Sequence, residues 1–148
     1  DHSVEALSPV VLCVFQRNEL ATLFQKHPGL AFDITWLASR EERMLDDNLL
    51  SIGRRTAVER AAYLLAFIYQ RAAAAGFANG KSLLLPITQQ HVADTLGLSI
   101  VHTNKTLRKL AQQGLIKWYD RACEVVDEEG LLELSGWKGL GEGQRPFV

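Results

Sequence analysis

Residues 87–116 constrain this chain more than any other segment, because their spacing predicts two short amphipathic helices joined by a tight turn. Thr88 is a suitable N-cap for the first helix, and Leu96 lies on its apolar face. Gly97 suits the left-handed conformation that often follows a helix end, and Ser99 is the next N-cap. The pattern is that of a helix-turn-helix, which places its second helix in the major groove of DNA.

The second helix is predicted from about Ile100 to Gln113, and Gly114 ends it. Leu107 and Leu110 share its apolar side, so the opposite side is left to polar and basic groups. An ordinary helical hairpin with a solvated basic face is the alternative explanation. The polar and basic side chains on or near the second side are Asn104, Lys105, Arg108 and Lys109.

A β-hairpin is predicted directly after this helix. Residues 115–119 are bulky and partly aromatic, residues 120–122 can turn, and residues 123–126 can return as a second strand. Asp127 then caps a short helix over residues 128–134. A helix-turn-helix followed by a β-hairpin is a winged helix.

Positive charge is concentrated in this part of the chain, although the whole chain has a formal net charge of −1. Between positions 81 and 121, six basic residues stand against only Asp94 and Asp120. A local basic patch is the expected footprint of phosphate binding. The six basic residues are Lys81, Lys105, Arg108, Lys109, Lys117 and Arg121.

The N-terminal part begins with a continuous apolar run, residues 10–15, which predicts a buried strand. Asn18 is placed to cap a short helix, which ends before Pro28 because the residue before a proline avoids the helical conformation. Pro28 is then suited to the first turn of a long helix that extends to about Ile52.

The long helix carries an approximate heptad stripe, and little in this chain is available to bury it. Pairing of the helix with its copy in a homodimer is therefore expected. Packing on a missing domain of the same chain is the alternative. The predicted interface residues are Ile34, Leu37, Met44, Leu45, Leu49 and Ile52.

Another helix, residues 57–75, is predicted after a break at residues 53–55. Thr56 and Glu59 fit the Thr-x-x-Glu capping box at its start. Residues 83–85 form a short predicted strand. The apolar stripe of the helix consists of Val58, Ala61, Leu64, Leu65 and Ile68.

Composition excludes several classes of protein. Among the 148 residues, no apolar run approaches the roughly 18–20 residues of a membrane span, so no membrane partner is expected. The histidines and cysteines show no metal-ligand spacing, and no nucleophile, base and orienting group occur together. We therefore expect neither a metal site, a cofactor in this chain, nor catalytic residues. Cys13 and Cys123 are expected to be buried free thiols, with a disulfide or redox role as alternatives, in a reducing cytoplasm.

The order of these elements resembles the C-terminal part of bacterial transcription regulators of the Crp/Fnr family, the catabolite activators and fumarate-nitrate regulators. The resemblance extends to about Trp137, and residues 49–60, 87–99 and 106–116 carry its most specific motifs. It implies a mostly α fold, in which a long dimerisation helix precedes a winged helix-turn-helix domain and follows the remnant of an N-terminal β-roll.

The resemblance also implies a domain division. Residues 1–27 would be the end of an effector-sensing β-roll, residues 28–53 the dimerisation helix, and residues 54–138 the winged domain, with a flexible tail over 139–148. The chain begins with Asp1 rather than Met, so we expect a fragment whose sensing part, with its unknown effector, is missing. Such a fragment should not bind cyclic nucleotides.

The function implied by the resemblance is sequence-specific binding of double-stranded DNA by a homodimer at an inverted-repeat site, with RNA polymerase contacted or blocked. A winged-helix module that binds proteins without DNA, through Trp118 and Tyr119, is the alternative. An enzyme is the least favoured class. Many family members carry Glu and Arg where this chain has Val101 and Lys105, so its target sequence should differ from the common half-site.

The contacts with DNA are predicted from position on the second helix and from side-chain chemistry. Base edges are assigned to the first two turns, where Asn104 can pair with adenine and Lys105 can donate to guanine. The predicted base contacts are Val101, His102, Asn104 and Lys105. The predicted phosphate contacts are Thr88, Gln89, Arg108 and Lys109.

Overall fold

A computed structural model describes residues 3–77 and 83–141. Lys81 and residues 142–148 of the predicted tail lie outside the described residues. The chain divides into two compact units, with the boundary along the sequence between Leu49 and Leu50. No helix in the described ranges is both long enough and apolar enough to cross a membrane.

The first unit contains two of the predicted helices. Helix α1 spans Glu19–Lys26 and helix α2 spans Pro28–Arg54, so α2 continues two residues beyond its predicted end and passes the unit boundary. Asn18 occupies the N-cap position of α1, but its side chain makes no capping hydrogen bond. The side chain of Glu19 instead accepts a hydrogen bond from the backbone N–H of Gln16 at 3.1 Å.

The prediction of a buried strand over residues 10–15 is wrong. This segment has no regular secondary structure, and the side chains of Val11 and Val14 are 94% and 88% exposed. A strand needs a neighbouring strand for its backbone hydrogen bonds, and none of the strands in the described residues pairs with this segment. Cys13 lies within it and is exposed, so the prediction that Cys13 is buried is also wrong.

The second unit is built around helix α3, which spans Ala57–Ala74. The predicted capping box begins it: Thr56 Oγ1 accepts from the Glu59 N–H at 3.4 Å, and Glu59 Oε2 accepts from the Thr56 N–H at 2.7 Å. Six consecutive residues, 61–66, are buried, so burial extends around the whole helix rather than along the predicted stripe. Tyr63 packs edge-on against the ring of Trp137, with 5.2 Å between centroids.

Five short elements and a longer helix surround α3 in the order that the sequence predicts. The hairpin and one further strand form an antiparallel sheet of order β1-β3-β2. Cys123 on the central strand pairs with Leu85 on one side and with Trp118 on the other. The elements are β1 (Leu84–Leu85), α4 (Gln89–Leu96), α5 (Ile100–Gln112), β2 (Ile116–Trp118), β3 (Cys123–Val125) and α6 (Glu128–Ser135).

The two cysteines should differ in reactivity. Burial, with a smaller contribution from the charge of Glu124, raises the pKa of the Cys123 thiol to about 12, so the nucleophilic thiolate is absent near pH 8. Cys13 is exposed. We expect a chromogenic disulfide reagent at pH 8 to modify one thiol per native chain and both thiols after denaturation. Rapid modification of Cys123 in the native chain, identified by mass spectrometry, would contradict this assignment.

Candidate nucleic-acid interface

Helix α4 begins at a capping arrangement that includes a histidine. Thr88 Oγ1 accepts a hydrogen bond from the His91 N–H at 3.2 Å, and His91 Nδ1 accepts from the Thr88 N–H at the same distance. His91 thus takes the place that Glu or Gln holds in the usual capping box. This fixes the first turn of α4, and it confirms Thr88 as the predicted N-cap.

A three-residue turn joins α4 to α5. Gly97 has φ +62°, the left-handed conformation expected there, and Leu98 returns a backbone hydrogen bond to Ala93 at 3.0 Å. Ser99 then caps α5, since its Oγ accepts from the His102 N–H at 3.3 Å. The turn and both caps therefore confirm the predicted helix-turn-helix.

Helix α5 has one buried face and one exposed face. Thr103 and Leu110 are fully buried, and Thr106 and Leu107 are each 2% exposed. Most of the residues predicted to touch DNA lie on the remaining surface of the helix, which we call the α5 outer face. The exposed members of this face are Ile100, Val101, His102, Lys105, Arg108, Lys109, Ala111 and Gln112.

Gln112 was not among the predicted contacts. It falls on the same helical stripe as Val101, Lys105 and Arg108, with spacings of four, three and four residues. The predicted contacts lie on α5 as far as Lys109 and at Thr88 and Gln89 near the start of α4, so they leave out Gln112. The helical spacing of α5 places Gln112 on the same stripe as three of its exposed residues.

Asn104 is placed differently from the other predicted base contacts. Its side chain is half-buried, and its Oδ1 atom is buried without a hydrogen-bond partner among the described residues. A bidentate contact with adenine requires both ends of the amide to reach the base. Because Oδ1 of Asn104 is buried, the predicted bidentate contact would require a rotation of this side chain.

The predicted phosphate contacts divide into two pairs. Arg108 and Lys109 are exposed, whereas Thr88 and Gln89 are half-buried at the start of α4. The oxygen of Thr88 accepts the capping hydrogen bond, and a hydroxyl also carries one hydrogen that it can donate. The backbone N–H groups of the first turn of α4 point the same way as its positive dipole end, which favours negative charge.

The wing is a tight hairpin. Its turn is closed by the Tyr119 N–H, which donates to the Ala122 carbonyl at 2.8 Å, and exposed Arg121 lies within the turn. Lys117 is directly opposite Glu124 in the strand register. Tyr119 donates its hydroxyl hydrogen to Glu124 Oε2 at 2.8 Å, and this bond raises the pKa of Tyr119. Glu124 therefore places a negative charge beside the basic residues of the wing.

The comparisons with known proteins agree with this geometry. Residues 59–134 match the family model of the Crp-like helix-turn-helix domain. The chain belongs to the Crp/Fnr family.

None of the described residues, 3–77 and 83–141, forms a group of three or more side chains able to hold a metal ion.

Two curated relatives are nitrogen-fixation and transcription regulators. The chain is 33% identical over 126 residues to the nitrogen fixation regulation protein FixK of Bradyrhizobium diazoefficiens, covering 84% of this chain and 52% of that protein. It is 30% identical over 126 residues to the transcriptional activatory protein AadR of Rhodopseudomonas palustris, with the same coverage of 84% and 52%. The chain thus spans about half the length of these relatives.

A solved structure gives the same family fold. FixK2 of Bradyrhizobium japonicum superposes with a TM-score of 0.66 at 25% sequence identity, covering 80% of this chain and 58% of that one. The mostly α architecture with a small sheet is therefore the fold of a Crp/Fnr protein.

The turn between α4 and α5 should be sensitive to backbone strain. A Cβ atom at Gly97 would meet no heavy atom within 4 Å, so Gly97→Ala tests the left-handed conformation alone. We expect it to lower the free energy of unfolding by about 1–2 kcal/mol, measured by urea denaturation.

Gly53→Ala is the matched control, because Gly53 lies within α2 and its added Cβ also meets nothing within 4 Å. It should be neutral or stabilise by up to about 1 kcal/mol. Equal effects of the two substitutions would show that the conformation of Gly97 carries no strain for alanine.

Proposed function

We propose that this chain is the DNA-binding part of a transcription regulator that acts as a homodimer on an inverted-repeat site. The observation that carries the proposal is the α5 outer face, where Lys105, Arg108 and Lys109 are exposed on a capped helix of a Crp-like domain. The curated relatives named above are regulators by name, which supports the same function. RNA polymerase is a further proposed partner, and the proposed location is the cytoplasm.

Local positive charge would attract the α5 outer face to the phosphates of DNA. The chain as a whole has a net charge of −1, so attraction to the phosphate backbone must come from a local cluster. The cations of α5, with Lys117 and Arg121 on the wing, are all exposed. Because each phosphate contact releases counterions, binding should weaken steeply with salt.

Base readout is proposed to rest on residues near the start of α5. Val101 is 62% exposed and offers a methyl surface for the thymine methyl group. Lys105 lies one turn later and can donate to guanine as a point charge. His102 is exposed beside them, and Asn104 is proposed to contact a base after its half-buried side chain rotates.

Phosphate contacts are proposed for Arg108 and Lys109 beyond these residues and for Thr88 and Gln89 at the start of α4. These contacts fix the register of the protein on the duplex without reading sequence. Two-fold symmetry of the dimer then requires half-sites roughly one helical turn, about 10–11 base pairs, apart.

Dimerisation is proposed through α2. Apolar side chains of the stripe lie exposed on this helix: Ile34 is 40% exposed, Leu37 50%, Leu45 57%, Leu49 68% and Ile52 62%, while Met44 is half-buried. Burying such a stripe against its copy removes apolar surface from water, which is the usual reason for a coiled-coil seam.

The DNA test compares two substitutions. We expect Lys105→Ala to weaken binding by roughly 1–3 kcal/mol on duplexes that the unmodified chain selects from a randomised library, and to relax preference at one base pair in each half-site. Arg108→Ala should weaken binding to selected and scrambled duplexes alike and lower the salt slope by about one. Fluorescence anisotropy at several salt concentrations measures both effects.

Lys138→Ala is the matched control for these losses of charge, because Lys138 is exposed but lies beyond α6 rather than on the interface. It should change neither affinity nor salt slope appreciably. An equal loss on both duplexes for Lys105→Ala would move Lys105 to the phosphate contacts. Absence of any salt-dependent DNA binding by the unmodified chain would refute the proposed function.

The dimer test places charges in the proposed seam. Leu37→Asp with Leu45→Asp should convert the chain to a monomer, since carboxylates in an apolar interface lose hydration without a partner. Light scattering at micromolar concentration measures the mass. A monomeric unmodified chain would contradict the proposal.

A control of equal charge uses the other side of α2. Ser39→Asp adds one negative charge and Arg43→Gln removes one positive charge, which matches the change of two produced by the pair of aspartates. Both positions lie about 120–160° around the helix axis from Leu37 and Leu45. This control variant should remain a dimer.

A further inference from the structure

One side-chain hydrogen bond links helix α3 directly to the helix-turn-helix. Arg60, in the first turns of α3, donates from its guanidinium Nη2 to the backbone carbonyl of Leu96, the last residue of α4. The two residues are 36 positions apart in sequence. Arg60 therefore forms a tertiary contact between α3 and α4, the helix that precedes α5.

The Leu96 carbonyl needs such a donor. The last carbonyls of a helix have no partner within it. The N–H groups of the turn donate to the carbonyls of two earlier residues: Gly97 N–H to Asp94 at 3.4 Å, and Leu98 N–H to Ala93 at 3.0 Å. Leu96 is only 7% exposed, so water has little access to it. A cation is also favoured at this negative end of the helix dipole.

Local contacts order the start of α3, which carries Arg60. Its backbone N–H donates to the Thr56 carbonyl at 2.9 Å, within the capped first turn of α3. One turn further along, Tyr63 receives the guanidinium of Arg55 over its ring, at 4.9 Å from the centroid. Arg60 therefore lies in a segment of α3 whose backbone is fixed by helical hydrogen bonds and the capping box.

We infer that Arg60 is a positioning residue for DNA recognition. By holding the end of α4, it fixes the turn at Gly97 and therefore the direction in which α5 presents its outer face. Arg60 acts through the Leu96 carbonyl and not by touching DNA. This inference rests on the proposed DNA-binding function.

The test measures affinity for two kinds of duplex with the full chain. Arg60→Ala should weaken binding to a duplex selected by the unmodified chain by roughly ten-fold or more, since a charge-assisted hydrogen bond is lost. Binding to a scrambled duplex, which depends on phosphate attraction alone, should change by less than about two-fold. Arg60→Lys keeps the charge and one donor and should recover part of the selected binding.

Arg71→Ala is the control, because Arg71 is an exposed arginine of the same helix whose guanidinium lies over the ring of Phe67. It should leave the ratio of selected to scrambled affinity unchanged. Equal weakening of both duplexes by Arg60→Ala would overturn the inference, as would no weakening of either. If Arg60→Ala does not fold, Arg60→Met, which keeps the apolar length of the side chain but has no donor, replaces it with the same expectations.

A second measurement separates this inference from the proposed function. If the unmodified chain selects no duplex, the proposed function fails, but amide hydrogen exchange still tests the positioning role. Exchange at Gly97 and Leu98 should then be faster in Arg60→Ala than in the unmodified chain, while the amides of residues 61–66 keep their protection. Unchanged exchange at the turn would overturn the inference.

Discussion

The second unit depends on the complete burial of one helix. Residues 61–66 of α3 are all buried, and because successive residues of a helix are turned by about 100°, these six face every direction around its axis. Helices α4, α5 and α6 and strand β3 all pack against it. Alanines at positions 61, 62 and 66 leave room for this close approach. The position of the candidate recognition helix is therefore set by a scaffold on its inner side.

The two faces of α5 differ in burial and in charge. Thr103, Leu107 and Leu110 are buried and attach the helix to the scaffold, so they are not available to a ligand. The cations occupy the other face, where their charges stay hydrated until a polyanion displaces water and counterions. This division explains how a chain with a net charge of −1 can still present a strongly basic surface.

The N-terminal part differs from the second unit in that many of its apolar residues are exposed. Val11 and Val14 are almost fully accessible, and the stripe of α2 is about half accessible. Exposed apolar surface of this extent is typical of an interaction surface. The chain spans about half the length of FixK and AadR. The exposed apolar stripe of α2 supports the proposed dimer.

The sequence alone determined the local elements of this protein. The caps at Thr56, Thr88 and Ser99 and the left-handed turn at Gly97 were predicted and are confirmed, because each depends on hydrogen bonds between residues three to five positions apart. The same holds for the exposed cations of α5, which follow from helical periodicity.

Only the tertiary structure decided the features that depend on distant neighbours. Residues 10–15 have the composition of a buried strand, but a strand forms only where another strand can accept its hydrogen bonds. The inward Oδ1 of Asn104 depends on what packs beside α5, and the bond from Arg60 to Leu96 joins residues 36 positions apart. Periodicity assigns a residue to a face, whereas the partner on that face is determined by packing between elements far apart in the chain.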